Sequence, residues 1–330
     1  MKQIGYLGAG TWGFALAIVL ANNGHRVTLW TRDPAFADQL EKTRTHPKLP
    51  KIEAPSTIHF TSDLRKTLHG AEVLVESVTS SGIRPVFKQV GPIDIPIILT
   101  SKGIEQGTGL LLPEVVSSLL GVEDSPLVGC LSGPSHAEDI IMNLPTSVVC
   151  SAYEPSVMKT IQELFNTPTF RIYPNADIRG VCFGGAMKNI IAIACGIADG
   201  LGCGDNTKAA LMTRGLHEIR KLCPVKHCKP ETLNGLSGMG DLCVTCMSVH
   251  SRNYRFGRLL AEGFSPEGAR QKIGMAVEGI YTCVSARELG HKHHIPVPIT
   301  EATYQIIYGG LDPREAVKTL LQRAIKEEHL

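Results

Sequence analysis

The chain has 330 residues, 43% of them hydrophobic and 19% charged, which excludes a mostly disordered protein and leaves room for two domains with cores of their own. Lys plus Arg (33) exceeds Asp plus Glu (31) by two. Composition therefore asks for no nucleic acid and no anionic membrane, although a local basic pocket could still serve a small anion. Met1 runs straight into a strand pattern without an apolar leader and cleavage site, so a cytoplasmic protein is expected.

In chain order, the first half alternates β-branched runs with amphipathic stretches. Strands are predicted at 4–8, 26–30, 57–61, 71–78, 95–101, 126–132 and 145–152, with helices at 13–24, 63–70 and 109–121. This alternation predicts an α/β architecture, a doubly wound and mostly parallel sheet over residues 1–176. The first strand ends in GAGTWG, which sets Gly8, Gly10 and Gly13 at the spacing of a dinucleotide-phosphate cradle. Gly8 permits a tight turn, Gly10 lets the backbone approach a pyrophosphate, and Gly13 lets the following helix pack close to the strand. Just beyond the second strand stand Thr31, Arg32 and Asp33. An arginine here suits a ribose 2′-phosphate, which favours NADPH, while Asp33 one residue later keeps NADH open. Lys102 and the SGPSHAED segment (Gly133, Ser135, His136) follow predicted strands, at the carboxyl edge where ligands of such sheets bind.

From about Asp177 strand signals stop. Helices are predicted at 177–199, 204–222, 254–263, 265–273, 275–290, 299–308 and 312–327, giving an all-helical second domain over 177–330. The longest apolar run, 181–198, contains Lys188, Asn189 and several glycines, which argues against a membrane span. A lysine among such residues needs a partner or a depressed pKa. Both suit a group that lends a proton to a carbonyl oxygen and takes it back from a hydroxyl. Asp241 in GLSGMGDL and Ser251-Arg252-Asn253 at a helix start add a carboxylate and an anion cradle of guanidinium, amide and backbone N–H groups. Ten cysteines are scattered through mostly apolar runs and are expected to be reduced, buried thiols. Only Cys243-x2-Cys246 approaches zinc-knuckle spacing, and no metal is expected.

The segments GAGTWG, LANNGHRVTLWTRDP, TSKGIE, SGPS, GGAMKNIIAIACGIADGLGCGDN, GLSGMGDL, SRNYRFG and VEGIYT resemble, in order and nearly end to end, the bacterial-type NAD(P)-dependent sn-glycerol-3-phosphate dehydrogenases. The resemblance implies a Rossmann-like domain, a helical substrate-binding and catalytic domain, and reversible reduction of dihydroxyacetone phosphate to sn-glycerol 3-phosphate for glycerophospholipid synthesis. It implies Lys188 as general acid/base, Lys102 between nicotinamide and substrate, and Asp241 with Thr245 in the same network. Substrate contacts would come from Gly133, Ser135, Asn189, Ser251, Arg252 and Asn253, with Arg252 and Ser251 gripping the phosphate. Cofactor contacts would come from the three glycines, Thr11, Trp12, Arg32, Lys102, Ala137, Arg252, Ala276 and Glu278. A homodimer is the implied assembly, with a small phosphorylated three-carbon molecule as the other partner. The family often has an aromatic where His136 stands.

Two rivals are weaker on residues. A 3-hydroxyacyl-CoA dehydrogenase would use a loop histidine such as His136, but the histidine–aromatic–asparagine context is missing and Lys188 would have no task. A non-catalytic NADPH-sensing module would have no need of Lys188 or Lys102, and both are present.

Overall fold

The structure, a computed structural model, describes residues 1–325, 327 and 328. Residues 326, 329 and 330, on which the end of the second domain falls, lie outside the described residues; the helix expected at 312–327 spans only Pro313–Leu321. The chain forms two compact units, one of residues 1–101 and 112–178, the other of 102–111 and 179–330. A single cut after residue 176 therefore misses one detail: the short segment 102–111 packs with the helical unit.

The first unit holds ten strands: β1 (Gln3–Leu7), β2 (Arg26–Trp30), β3 (Thr45–His46), β4 (Leu49–Glu53), β5 (Ile58–Thr61), β6 (Val73–Glu76), β7 (Ile97–Leu99), β8 (Val128–Ser132), β9 (Thr146–Ala152) and β10 (Phe170–Pro174). Eight of them form one sheet in the order β10-β9-β8-β7-β6-β1-β2-β5, and β3 pairs with β4 in a separate hairpin. Every pair in the large sheet is parallel except β8 with β9. Ile4, Val73, Leu74, Val75, Ile97, Ile98 and Val128 are fully buried, as expected of parallel strands covered on both faces. The chain leaves β1 towards β2 and β5, then returns to place β6 on the other side of β1. That reversal makes the carboxyl ends of β1 and β6 the switch point at which open α/β sheets bind ligands.

All seven expected strands form. The hairpin and β10 were not legible: Thr45–His46 is only two residues long, and Phe170–Pro174 alternates buried and exposed positions over a stretch of only five residues that ends in proline. The helix expected at 109–121 begins at Leu112, because Leu111 still belongs to the segment that bridges Ile104 and docks on the other unit.

In the second unit, helix Ile178–Gly200 is the central element. It is apolar on all sides, and 94% of its most apolar 18-residue window is buried within the protein. Phe183, Ile190, Ile191 and Cys195 share one core with Leu216, Ile219 and Leu222 of helix Gly204–Leu222 and with Ile104 and Leu111. Glycines set how near the neighbouring helices come. A Cβ on Gly196 would lie 2.0 Å from the Tyr254 carbonyl oxygen, and one on Gly257 would lie 2.1 Å from that of Ile193. Helix Arg252–Ala261 therefore rests backbone to backbone on the central helix.

The cysteine expectation needs one correction. Cys223 and Cys228 are joined by a disulfide, while Cys130, Cys150, Cys182, Cys195, Cys203, Cys243, Cys246 and Cys283 are not disulfide-bonded. After the turn Cys223–Lys226 the chain reverses through His227 in the left-handed region (φ 52°), which brings the two Cα atoms to 5.2 Å, within disulfide range.

Candidate active site

The first unit supplies the phosphate cradle. Gly8 follows β1 with φ 105°, and a Cβ there would lie 2.6 Å from the Ser77 carbonyl oxygen just past β6. A Cβ on Gly13 would sit 1.9 Å from the Gly8 carbonyl oxygen. Both positions thus exclude any side chain on steric grounds. Gly10 differs: nothing in the protein lies within 4 Å of where its Cβ would be. Its lack of a side chain keeps open the space in front of helix Thr11–Asn22, whose N-terminus has no side-chain cap. Uncapped N–H groups behind an open cradle fit a pyrophosphate.

Trp12 does not face that space with its polar edge. Its indole N–H donates to Thr100 Oγ1 at 3.1 Å, and Thr100 continues to Ser77 (2.5 Å) and on to the Tyr6 hydroxyl (2.8 Å). Beneath this chain lies Glu76, fully buried at the end of β6. Its carboxylate accepts the Ser101 hydroxyl at 2.6 Å and the Val78 N–H. The network locks the carboxyl ends of β1, β6 and β7 under the glycine loop. Its one sequence signal was an acid closing the apolar run VLVE. His46 of the unforeseen hairpin is a second brace. Burial, aided by Lys48, lowers its pKa to about 4, so the ring is neutral; it hydrogen-bonds the Ala9 backbone and meets the Phe14 ring at a tilt and the Phe36 ring edge to face.

Arg32 and Asp33 part company in the structure. Asp33 caps helix Pro34–Thr43, accepting the N–H groups of Ala35 (3.0 Å) and Phe36 (3.3 Å). Arg32 is exposed. Also in the first unit, Gly133 (φ 137°) leaves β8 tight against Val148, the Ser135 hydroxyl donates to the Gly133 carbonyl at 2.8 Å, and Ala137 opens a short helix packed on Thr11–Asn22.

The second unit gathers Lys102, Lys188, Asp241 and Thr245. Gly184 lies one helical turn before Lys188, and its missing Cβ admits the Leu236–Gly240 turn, which comes within 3.0 Å of that position at Ser237. The turn is π-helical, and the next helix begins at Asp241. A turn beyond Gly184, Lys188 therefore meets Asp241: Nζ donates to Asp241 Oδ1 at 2.6 Å and to Thr245 Oγ1 at 2.6 Å. Thr245 passes its own proton to the Asp241 carbonyl oxygen at 2.6 Å, which frees a lone pair for the lysine. Lys102 Nζ takes the other carboxylate oxygen, Oδ2, at 2.5 Å. Its segment is held to the helical unit by Ile104 and Leu111 in the core, by Ser285 to the Ile104 carbonyl, and by Lys226 to the Gly109 carbonyl.

One buried carboxylate thus serves two ammonium groups. Burial alone would raise the Asp241 pKa, but Lys102 and Lys188 outweigh it and hold the carboxyl below its usual range. For Lys188, burial is the largest influence; with repulsion from Lys102 it exceeds the attraction of Asp241 and brings the pKa down to about 8. Lys188 can therefore exchange a proton near neutral pH. Two of its three N–H donors are taken, and one remains for a substrate oxygen.

The other expected residues of this unit lie on neighbouring elements. Ser251 caps helix Arg252–Ala261, its hydroxyl accepting the Tyr254 N–H at 3.2 Å. Asn253 donates to Asn189 Oδ1 at 2.9 Å. Arg252 is half-buried, as are Ala276 and Glu278, the latter opening helix Glu278–Lys292.

Residues 3–158 match the family described as NAD-dependent glycerol-3-phosphate dehydrogenase N-terminus, and residues 177–318 match its C-terminus. The chain belongs to the NAD-dependent glycerol-3-phosphate dehydrogenase family. It is 58% identical over 333 residues to an NAD(P)+ glycerol-3-phosphate dehydrogenase of Protochlamydia amoebophila, with all of both chains covered. It is 53% identical over 334 residues to that of Chlamydia muridarum, again with full coverage. Among solved structures, the glycerol-3-phosphate dehydrogenase of Coxiella burnetii superposes with a TM-score of 0.93 at 39% identity, covering 98% of this chain and 99% of that one. The protein is accordingly an NAD(P)-dependent oxidoreductase, with a Rossmann-like sheet followed by the family's helical domain.

Proposed function

We propose that the protein interconverts dihydroxyacetone phosphate and sn-glycerol 3-phosphate, with NADPH as the preferred cofactor, and so supplies the backbone of glycerophospholipids. The observation that carries this reading is Lys188, buried on an apolar helix yet held by Asp241 and Thr245 with one N–H to spare. The cofactor, when bound, supplies or accepts the hydride. Lys188 donates its proton to the carbonyl oxygen in reduction and recovers it from the hydroxyl in oxidation. Asp241 keeps Lys188 aimed and sufficiently basic. Lys102 adds a positive charge that polarises the carbonyl and opposes the charge developing on its oxygen. Asn189 and Asn253 bind the substrate, Gly133 and Ser135 add contacts, and Arg252 with Ser251 holds its phosphate.

Residues 1–176 act as the dinucleotide-binding domain and 177–330 as the substrate and catalytic domain. The glycine loop with Thr11 and Trp12 holds the cofactor's pyrophosphate, and Lys102, Ala137, Arg252, Ala276 and Glu278 add to cofactor binding. The NADPH preference is supported by Arg32, exposed and available to a 2′-phosphate, and by Asp33, one of whose carboxylate oxygens is occupied in capping a helix. The family resemblance supports a homodimer and a cytoplasmic location.

The reading is tested by following NADPH and NADH oxidation with dihydroxyacetone phosphate in wild type and Arg32→Ala. Turnover in wild type, with the NADPH-over-NADH ratio of kcat/KM falling about tenfold or more in Arg32→Ala, is expected. An enzyme that ignores dihydroxyacetone phosphate sinks the substrate assignment; an unchanged ratio sinks the role of Arg32.

A pH profile gives a second check. Reduction needs Lys188 as the ammonium, so its kcat/KM should be level below the lysine's pKa and fall as pH rises through about 8. Oxidation needs the free amine, so its kcat/KM should rise to the same point and then level off. Two profiles that bend the same way would show that Lys188 is not the proton carrier.

A further inference from the structure

Beside the lysine cluster runs a chain of amide hydrogen bonds. The Gly279 backbone N–H, in the first turn of helix Glu278–Lys292, donates to Asn253 Oδ1 at 2.9 Å. Asn253 Nδ2 then donates to Asn189 Oδ1 at 2.9 Å. Both asparagines are buried, with 8% and 4% of their surface exposed. A backbone N–H can only donate, so the Asn253 carboxamide has to turn its oxygen to Gly279 and its NH2 to Asn189. Asn189 must in turn meet that NH2 with its oxygen. Its own NH2 is then the end of the chain, and it donates to no protein group among the described residues.

Packing makes this geometry exacting. A Cβ on Gly279 would fall 2.7 Å from the Asn189 carbonyl oxygen, 2.7 Å from Ile193 Cδ1 and 2.8 Å from Asn253 Oδ1. The first turn of helix Glu278–Lys292 thus presses on both asparagines at once, and only glycine fits there.

We propose that Gly279 is a positioning residue for the reaction: through Asn253 it fixes the Asn189 carboxamide with its NH2 committed to an acceptor oxygen of the substrate. The inference rests on the substrate-binding role given to Asn189 above. It gives Asn253 the added task of orienting Asn189, and it gives the site a preference for oxygen acceptors over donors at that point. Asn189 and Lys188 are consecutive on the central helix, so the donor is presented from the element that carries the proton donor.

The test is a double-mutant cycle with dihydroxyacetone phosphate and NADPH. Asn253→Leu keeps the volume and adds no charge. In wild type it should raise KM more than it lowers kcat, with kcat/KM falling about 10- to 100-fold, the worth of a hydrogen bond to a charged or strongly polar group. In the Asn189→Ala background the same change should cost at least about threefold less than in wild type. Gly279→Ala should follow the same pattern, and the bend of the pH profile near 8 should stay in place in every variant. Additive losses would show that Asn253 does not act through Asn189, and a displaced bend would show a disturbed lysine pocket; either overturns the relay. Full activity in Asn189→Ala would instead overturn the substrate-binding assignment and the relay with it. Neutron diffraction of the wild-type protein reads the amides independently of activity and of variant folding. Deuterons on the Asn189 nitrogen pointing away from Asn253 are required, and the reversed orientation refutes the inference.

Discussion

Lys188→Met should lower kcat for ketone reduction by about 10²- to 10⁴-fold, the usual worth of a positioned general acid. NADPH binding should survive, because the phosphate cradle is built by the glycine loop of the other unit. Asp241 would keep Lys102, so the buried carboxylate would not be left without a counter-charge. Lys188→Arg sharpens the result. A guanidinium keeps the positive charge but does not release its proton near neutral pH, so a proton-transfer role predicts an enzyme nearly as slow as Lys188→Met. An arginine variant close to wild type would mean that the site needs only a cation at this position. Steady-state kinetics with NADPH fluorescence titration on each variant decides the matter.

Asp241→Asn should be the more damaging substitution for the fold. The carboxylate is 1% exposed and accepts one ammonium on each oxygen, at 2.5 and 2.6 Å. A carboxamide keeps the shape but sets an NH2 against one of the two lysines, and it leaves buried Lys188 facing half-buried Lys102 without a counter-charge. Breaking a buried ion pair in this way costs about 3–5 kcal/mol, somewhat less where Lys102 reaches solvent. Activity should fall as well. Asp241 is the main group raising the Lys188 pKa against burial, so without it the lysine titrates below about 8 and is increasingly neutral at working pH. Denaturant unfolding should show the loss of stability, and the bend in the reduction profile should move to lower pH. A variant with unchanged stability and an unmoved bend would contradict the bridging role.

How much of this was legible beforehand divides by distance along the chain. The glycine fingerprint, the strand–helix alternation and the apolar helix around Lys188 are local or periodic patterns, and each is where the residues put it. They also fixed the family, because the segments that carry the resemblance are continuous stretches. Asp33 shows the limit even at short range. As an acid after the second strand it kept NADH open, yet its Oδ1 accepts the N–H groups of Ala35 and Phe36. A side chain that can either cap a helix or bind a ribose is not resolved by spacing alone.

Only tertiary structure decided how the site is wired. Lys188 and Asp241 are 53 residues apart and Lys102 and Asp241 are 139 apart, so nothing periodic links them. What joins them is the absence of a side chain at Gly184, which lets the Leu236–Gly240 turn reach the central helix. The same holds for Gly279 and its two asparagines, and for Lys102, whose segment follows a strand of the first unit in sequence but packs with the helices. By itself the sequence determined the fold class, the family and the anomaly of a lysine in an apolar helix, because hydrophobic period and contiguous motifs act locally. The lysine's pKa, its two partners and the direction of the neighbouring amides came from packing, because burial and charge are set by residues that meet only after the chain has folded.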